Sequence, residues 1–399
     1  MAQIPKEQYD YLIIGGGVVA GHAAEGIREI DQTGSIGILS ADRDEPYTRP
    51  ALSKKIWRDS EFTQEDLSFD TAEKTGAVVL LDTIVTAIDR ENRTVQLQDG
   101  SSVGYKKLLL ATGGEPAVID GPEDEHVIAF RSQEDYRRLR IFSGSDKQVL
   151  IVGGSYIGTE LAASLTETDT NVTLIYPQER LMGDSFPEEL SQEYEKSFKE
   201  AGVELVPGKK AESYTTEDGK LVLQLDDGTT LEGDTLVLGL GVTPRTSLAE
   251  EAGLEVEEGV VADENLRTSD PDIFVAGDIV SYPDPILGRN RIEHVDHARK
   301  SGTTAGKNMA GAEEPYDYTP YFYSVVFSIS WKAIGKMDSS LDTLIDEVDD
   351  GKVVYYLEDN KPVGVLAWNI EPDLDEIREL LKNPPSNPNE LKGKIRSTE

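Results

Sequence analysis

Two glycine-rich runs carry the first chemical signal in the sequence. Gly15-Gly16-Gly17-Val18-Val19-Ala20-Gly21 follows an apolar stretch at residues 9–14, and Gly153-Gly154-Ser155-Tyr156-Ile157-Gly158 follows another at residues 148–152. A run of this kind between a strand and a helix cradles a pyrophosphate. Its first glycine makes the tight turn, its second lets backbone approach the anion, and its third lets helix and strand pack closely. The helix N-terminus then faces the negative charge with unpaired N–H groups. Gly15, Gly17 and Ala20 fit these three positions, and Asp42 is the acid expected to hold a ribose diol after the second strand. In the second run Ser155 stands at the middle position, where its side chain either crowds the pyrophosphate or hydrogen-bonds to it. The strand after that run ends in Tyr176-Pro177-Gln178, without an acid.

The elements that must position these turns read in the same order twice. A strand at residues 9–14 leads through the glycines to a helix ending near residue 30 and a strand at 35–39. A strand at 148–152 leads to a helix at 160–166 and a strand at 171–176. Two such units predict two dinucleotide-binding folds. The usual pairing is a flavin in one and a nicotinamide in the other, with hydride passing between them. Residues 108–114 read as a buried strand running into the turn Ala111-Thr112-Gly113, and residues 236–241, ending at Gly241, look alike. Residues 270–278 read as a turn, a short strand and a terminal acid, Asp278. From Tyr316 the pattern turns β-rich, with strands at 322–330, 352–357 and 363–370 and a short acidic helix at 373–381. The tail from Lys382, with three Pro and two Ser, reads as loose, and the acidic run 346–350 as an exposed turn.

Composition narrows the classes. The chain has 399 residues, with 39 Lys+Arg against 75 Asp+Glu, for a formal net charge of −36. Such a surface reads as a halophile-type solvated surface, with a docking face for a basic electron carrier as the alternative; its self-repulsion is felt in dilute buffer and screened in strong salt, where the Debye length falls from ~10 Å to ~3 Å. Phosphate backbones are repelled, which argues against nucleic acid as a partner. There is no Cys, so disulfides, thiolate nucleophiles and cysteine metal sites are excluded. The four His show no zinc-binding spacing, and no metal site is expected. No apolar run reaches the ~18 residues of a membrane span. A strand starting near Tyr9 leaves no room for a signal peptide, so a cytoplasmic protein is expected.

The chain resembles the two-dinucleotide flavoprotein reductases, a group that holds ferredoxin reductases, apoptosis-inducing factor and glutathione-reductase-like enzymes. Pro46-Tyr47-Thr48-Arg49-Pro50-Ala51-Leu52-Ser53-Lys54, Ala111-Thr112-Gly113 and Gly277-Asp278 carry the likeness. Within the group it is most similar to monodehydroascorbate reductases, through residues 291–301, 316–324 and 327–331. The resemblance implies an α/β, glutathione-reductase-like fold with two Rossmann-like domains. An FAD domain at 1–118 and 245–315 would carry an inserted NAD(P) domain at 119–244, and a C-terminal α+β domain would span 316–399. The implied cofactors are FAD and NADH, with NADPH as the alternative, since only Arg180 offers a nearby cation for a 2′-phosphate.

The resemblance also implies roles. Asp42 would hold the adenosine ribose, Arg49 the FAD diphosphate region and Asp278 the ribityl chain. Ile84 and Arg131 would line the FAD, and Lys54 would sit near flavin N5. Glu293, His294 and Val295 would surround the isoalloxazine. Tyr156 would gate the nicotinamide pocket, with Gln178 close to that cofactor. Arg299 and Tyr323 would face the organic substrate. The chemistry is consistent: reduced flavin is an anion, Lys54 supplies positive potential, and Glu160 is the expected partner that positions it. A helix beginning at Glu293 would point its positive end at the flavin pyrimidine edge. The expected acceptor is a small organic molecule, the monodehydroascorbate radical first. A small redox protein, or a redox-sensing role of the apoptosis-inducing-factor kind, is the alternative. The acidic C-terminal helix argues against a membrane-bound quinone reductase.

Overall fold

The computed structural model describes residues 6–217, 220–348 and 351–398. The chain divides into two compact units. The first comprises the chain up to Thr48 together with Gln64–Glu115 and Thr243–Pro320; the second comprises Arg49–Thr63, Pro116–Val242 and the chain from Tyr321 onward.

The first unit is built on a seven-stranded sheet. Gln8–Ile14 lies at its centre, paired in parallel with Ile36–Leu39 on one side and Ser102–Leu110 on the other. Val78–Leu80 extends the sheet at one edge, and Ile273–Val275 pairs in parallel with Ser102–Leu110. Ile36–Leu39 is buried at every position, as expected of a parallel strand covered on both faces. Helix Val18–Ile30 packs against helix Val295–Met309 at very close range. A Cβ on Gly306 would fall 2.1 Å from the Ala23 carbonyl oxygen, so this contact requires glycine. Behind the second helix lies a buried polar cluster. His297 Nδ1 meets the Tyr316 hydroxyl at 2.9 Å, the imidazole stacks on Tyr282 at 4.9 Å, and the Tyr282 hydroxyl donates to Asp284 at 3.0 Å.

The second unit contains a parallel five-stranded sheet and an antiparallel five-stranded sheet. In the first, Gln148–Val152 pairs with Asn171–Ile175 and Thr235–Leu238. In the second the order is Tyr321–Val326, Ile329–Gly335, Lys361–Trp368, Gly351–Glu358 and Asp342–Val348. Trp331 and Trp368 of the antiparallel sheet pack edge-to-face on Phe186, which is centred 5.4 Å from both and also meets Tyr194 of helix Glu188–Glu200 edge-to-face.

Several expectations are corrected. The segment at 322–330 is a hairpin rather than one strand, because Phe327 takes a left-handed φ of 51° and turns the chain. The second glycine run opens its helix at Tyr156, four residues before Glu160. The helix placed at Glu293 begins at Val295, with His294 as its N-cap. The tail is packed: Leu391 and Ile395 are buried at 0% and 1% exposure, and Gly393 N donates to Asp346 Oδ2 at 2.6 Å. Asp346 is therefore a buried strand residue rather than part of a turn; Asp349 and Asp350 lie outside the described residues.

Two predictions follow from this packing and charge. His297 is fully buried, and desolvation pushes its pKa down to about 4 from 6.5. Between those values the unfolded chain binds a proton that the native chain does not, so native stability falls as pH falls. The expected loss from pH 7 to pH 5 is about 2 kcal/mol. Chemical unfolding at the two pH values should show H297N with a flatter dependence than the parent; equal slopes would remove His297 from the account. Separately, the −36 charge should make the melting temperature rise by at least about 5 °C between 0.1 M and 2 M KCl, through screening of self-repulsion. A flat salt profile in thermal unfolding would contradict that.

Candidate cofactor and redox site

The first cradle forms because Gly15 adopts φ 118°, which places its backbone against the Ala111 carbonyl; a Cβ there would lie 2.1 Å from that oxygen. The glycine turn and the Ala111-Thr112-Gly113 turn are thus held side by side, with Ala111 N donating to the Ile14 carbonyl at 2.9 Å. Thr112 Oγ1 donates to the Arg245 carbonyl, and Gly113 completes its turn at φ 65°. Gly16 sits over Ser40, whose hydroxyl accepts from Asp42 N at 3.1 Å; Tyr47 donates to the Asp42 carboxylate at 3.2 Å. Ala20 is fully buried on the helix that follows. Among the described residues, no side chain caps Gly17 and no acid stands in the first helical turn, so the N–H donors are left to an anion. These features fit a dinucleotide diphosphate.

In the same unit, Arg291 gathers a second group. Its guanidinium donates to the Asp278 carbonyl at 3.0 Å and meets Glu293 at 2.5 Å. Gly277 N donates to Ser301 at 3.0 Å, and His294 accepts from Asp296 N at 3.3 Å, with Val295 opening the helix. Ile84 is 44% exposed. Arg299 lies on that helix, half-buried and near His22, whose imidazole is made less basic by burial first and by Arg299 as well. Arg299 Nε is buried with no hydrogen-bond partner among the described residues.

The second cradle repeats the construction. Gly153 takes φ 127°, and a Cβ there would lie 2.2 Å from the Gly239 carbonyl oxygen. Gly154 faces Tyr176, and Gly158 packs on the Gly153 carbonyl. Ser155 is the N-cap of helix Tyr156–Thr166, makes no side-chain capping bond and is exposed, so its hydroxyl is directed to solvent rather than to the helix. Ile157 is 36% exposed beside it. The helix again lacks an acid in its first turn, and the fit to a second diphosphate is the same. Gln178 Nε2 donates to Asp184 at 2.7 Å, and the Gly241 carbonyl accepts from Ala117 N. Tyr156 lies 5.5 Å from Trp331, its phenol pushed up by burial and then by the Glu160 charge.

Arg49 donates to the Arg131 carbonyl at 2.7 Å within the second unit. There too stands a buried ion pair. Lys54 Nζ lies 2.7 Å from Glu160 Oε2, with the lysine 16% and the glutamate 3% exposed. Ser53 Oγ donates to the same oxygen at 2.5 Å, and Ser324 Oγ donates to Oε1 at 2.7 Å. Lys54 Nζ sits 5.4 Å from the centre of the Tyr323 ring. The arrangement holds a cation and an aromatic hydroxyl-bearing ring together around a buried carboxylate. Sequence reasoning found Lys54, Glu160 and Tyr323 but missed Ser53, Ser324 and Arg291. Ser53 and Ser324 stand beside the selected residues, yet nothing in the sequence brings them to one carboxylate.

Comparison with known proteins finds relatives along most of the chain. The putidaredoxin reductase–putidaredoxin complex holds a chain of 28% identity that superposes with a TM-score of 0.88, covering 96% of this chain and 95% of that one. The anthranilate 1,2-dioxygenase system ferredoxin–NAD(+) reductase component of Burkholderia cepacia is 32% identical over 93% of each chain. Monodehydroascorbate reductase of Pisum sativum is 31% identical over 92% of each. Apoptosis-inducing factor 1 of Dictyostelium discoideum is 31% identical over 94% of this chain and 78% of its own length. Among the described residues, no helix is long and apolar enough to cross a membrane. With residues 9–302 matching that family, the chain belongs to the pyridine nucleotide-disulphide oxidoreductases, whose members use FAD and NAD(P)H.

Proposed function

We propose that the protein is an NADH-dependent FAD reductase of a small organic acceptor, with the monodehydroascorbate radical as the favoured one. The observation that carries the reading is the buried Lys54–Glu160 pair beside Tyr323, a fixed cation in a site that must stabilise negative charge. FAD would lie on the Gly15–Gly17 cradle with Asp42, Ala111, Thr112, Gly113 and Asp278, and with Ile84, Arg49, Arg131, Glu293, His294 and Val295 along its length. The nicotinamide dinucleotide would lie on the Gly153–Gly158 cradle with Tyr156, Gln178 and Gly241. Bound FAD would take up hydride and release electrons singly or as a pair. Lys54 would hold the positive potential, and Glu160 would orient its ammonium. Arg299 and Tyr323 would bind the anionic acceptor. With no Cys in the sequence, the dithiol chemistry in the family's name has no cysteine pair to run on.

Arg180 supports NADH over NADPH. Its guanidinium pairs with Glu188 at 3.0 Å and Glu195 at 3.8 Å, and Gln178 is bound to a further acid, Asp184. A 2′-phosphate would meet carboxylates and a cation already neutralised. A second reading, transfer to a small iron–sulfur protein, is favoured by the likeness to putidaredoxin reductase. The −36 charge opposes it for acidic carriers at low salt.

Three measurements test the proposal. In high salt, NADH oxidation should depend strongly on ascorbate plus ascorbate oxidase and fall with R299A; turnover with putidaredoxin-type carriers alone would select the second reading. NADH should bind more tightly than NADPH by at least about tenfold, or ~1.4 kcal/mol, in anaerobic titrations; equal affinities would remove Arg180 from the argument. K54M should slow flavin reduction on the order of 10²-fold in stopped-flow absorbance, and an unchanged rate would refute the assigned role of the lysine.

A further inference from the structure

A buried carboxylate with one cationic partner is not yet a fixed device. Lysine carries its charge on a flexible four-carbon stem, so its ammonium goes where its counterion holds it. Glu160 can hold it steady only if its own carboxylate cannot rotate. At 3% exposure water does little of that work.

Both oxygens of Glu160 are engaged from outside its own helix. Ser53 Oγ donates to Oε2 at 2.5 Å, on the oxygen that also binds Lys54, and Ser324 Oγ donates to the other oxygen, Oε1, at 2.7 Å. The two serines are each 1% exposed and come from different elements, the turn Pro50–Ser53 and the strand Tyr321–Val326. Ser53 is itself held: its carbonyl accepts from Ser164 Oγ at 2.8 Å, one helical turn beyond Glu160. Hydrogen bonds to a charged group are the strong kind, and a carboxylate gripped at both oxygens has one orientation.

We propose that Ser53 and Ser324 are positioning residues that clamp the Glu160 carboxylate, and through it set where the Lys54 ammonium stands and how strongly it stabilises electrons arriving on the flavin. The inference rests on the role given above to Lys54. Neither serine touches the reacting atoms in this account; each acts through Glu160. With one hydroxyl removed, the carboxylate turns, the ammonium moves with it, and the positive potential at the redox centre weakens.

The test uses the FAD-loaded enzyme and S324A, S53A, S324T, E160Q, K54M and S324A/E160Q. Two quantities are read: the midpoint potential of the bound flavin by dye-equilibrated reductive titration, and flavin reduction by NADH split into saturating rate and dissociation constant. The expected result is a more negative potential and a roughly tenfold lower saturating rate in S324A, the scale of one charged hydrogen bond. The NADH dissociation constant should stay unchanged and S324T should restore both quantities. S324A should add nothing in the E160Q background. S53A should repeat the pattern if S324A does not fold. An unchanged potential and saturating rate in S324A and S53A, with only a lower melting temperature, would overturn the clamp and leave the serines as partners of a buried charge. An additive effect of S324A on E160Q would overturn it too, since the serine would then act by another route. If K54M leaves both quantities unchanged, the reading of Lys54 itself falls, whatever the serines do.

Discussion

The charge on Glu160 is the constraint around which the second unit is arranged. An ionised carboxylate at 3% exposure is stable only with its lone pairs engaged, because removal from water costs several kcal/mol. Its partners come from the turn Pro50–Ser53, from Lys54 just after that turn, and from strand Tyr321–Val326 of the antiparallel sheet. A single side chain on helix Tyr156–Thr166 thereby ties together segments far apart in sequence. The aromatic core of Phe186, Trp331 and Trp368 supplies the apolar half of the same junction. The lysine is part of that structure as well as a candidate for chemistry, so its position is decided by packing and not by the length of its stem.

The two cradles solve one problem twice. Each needs backbone where a Cβ would collide with a neighbouring carbonyl, at Gly15 against Ala111 and at Gly153 against Gly239. Each opens a helix whose first N–H groups find no capping side chain among the described residues. An ordinary surface helix is stabilised by a cap or an early acid. Forgoing both leaves the donors and the positive helix end for a ligand. The residues that follow each second strand differ: Asp42 is held by Tyr47 at the first cradle, whereas Gln178 leans on Asp184 at the second. That asymmetry agrees with two different nucleotides on two similar turns.

An excess of carboxylates changes what a cation is worth. Lys54, Arg180 and Arg291 are each held by a glutamate. Arg299 differs, with a buried Nε unbonded among the described residues. In a field this negative, an anionic acceptor approaches only where a local cation reverses the potential, and salt assists by screening the remainder. The proposed acceptor is such an anion, which is why the placement of a few cations matters more here than the overall surface.

The local part of this architecture was legible in the sequence. The glycine runs, the flanking apolar strands and Asp42 specify strand, turn and helix through short-range sterics, and the observed strand Gln148–Val152 has the bounds its apolar pattern predicts. Lys54, Glu160 and Tyr323 were legible through their resemblance to known motifs. What sequence could not show was decided by tertiary contact. Phe327 turns a run of β-formers into a hairpin, and a Pro-rich tail becomes ordered because Leu391 and Ile395 find a core to enter. Asp346 reads as surface charge until Gly393 bonds to it. Ser53 and Ser324 are ordinary residues whose meaning arises at Glu160. Strand and helix periodicities and glycine sterics act over a few neighbouring residues, so the order of residues encodes them directly. The pairing of a buried charge depends on which distant hydroxyls the folded chain brings within hydrogen-bonding distance, and only the tertiary structure settles that.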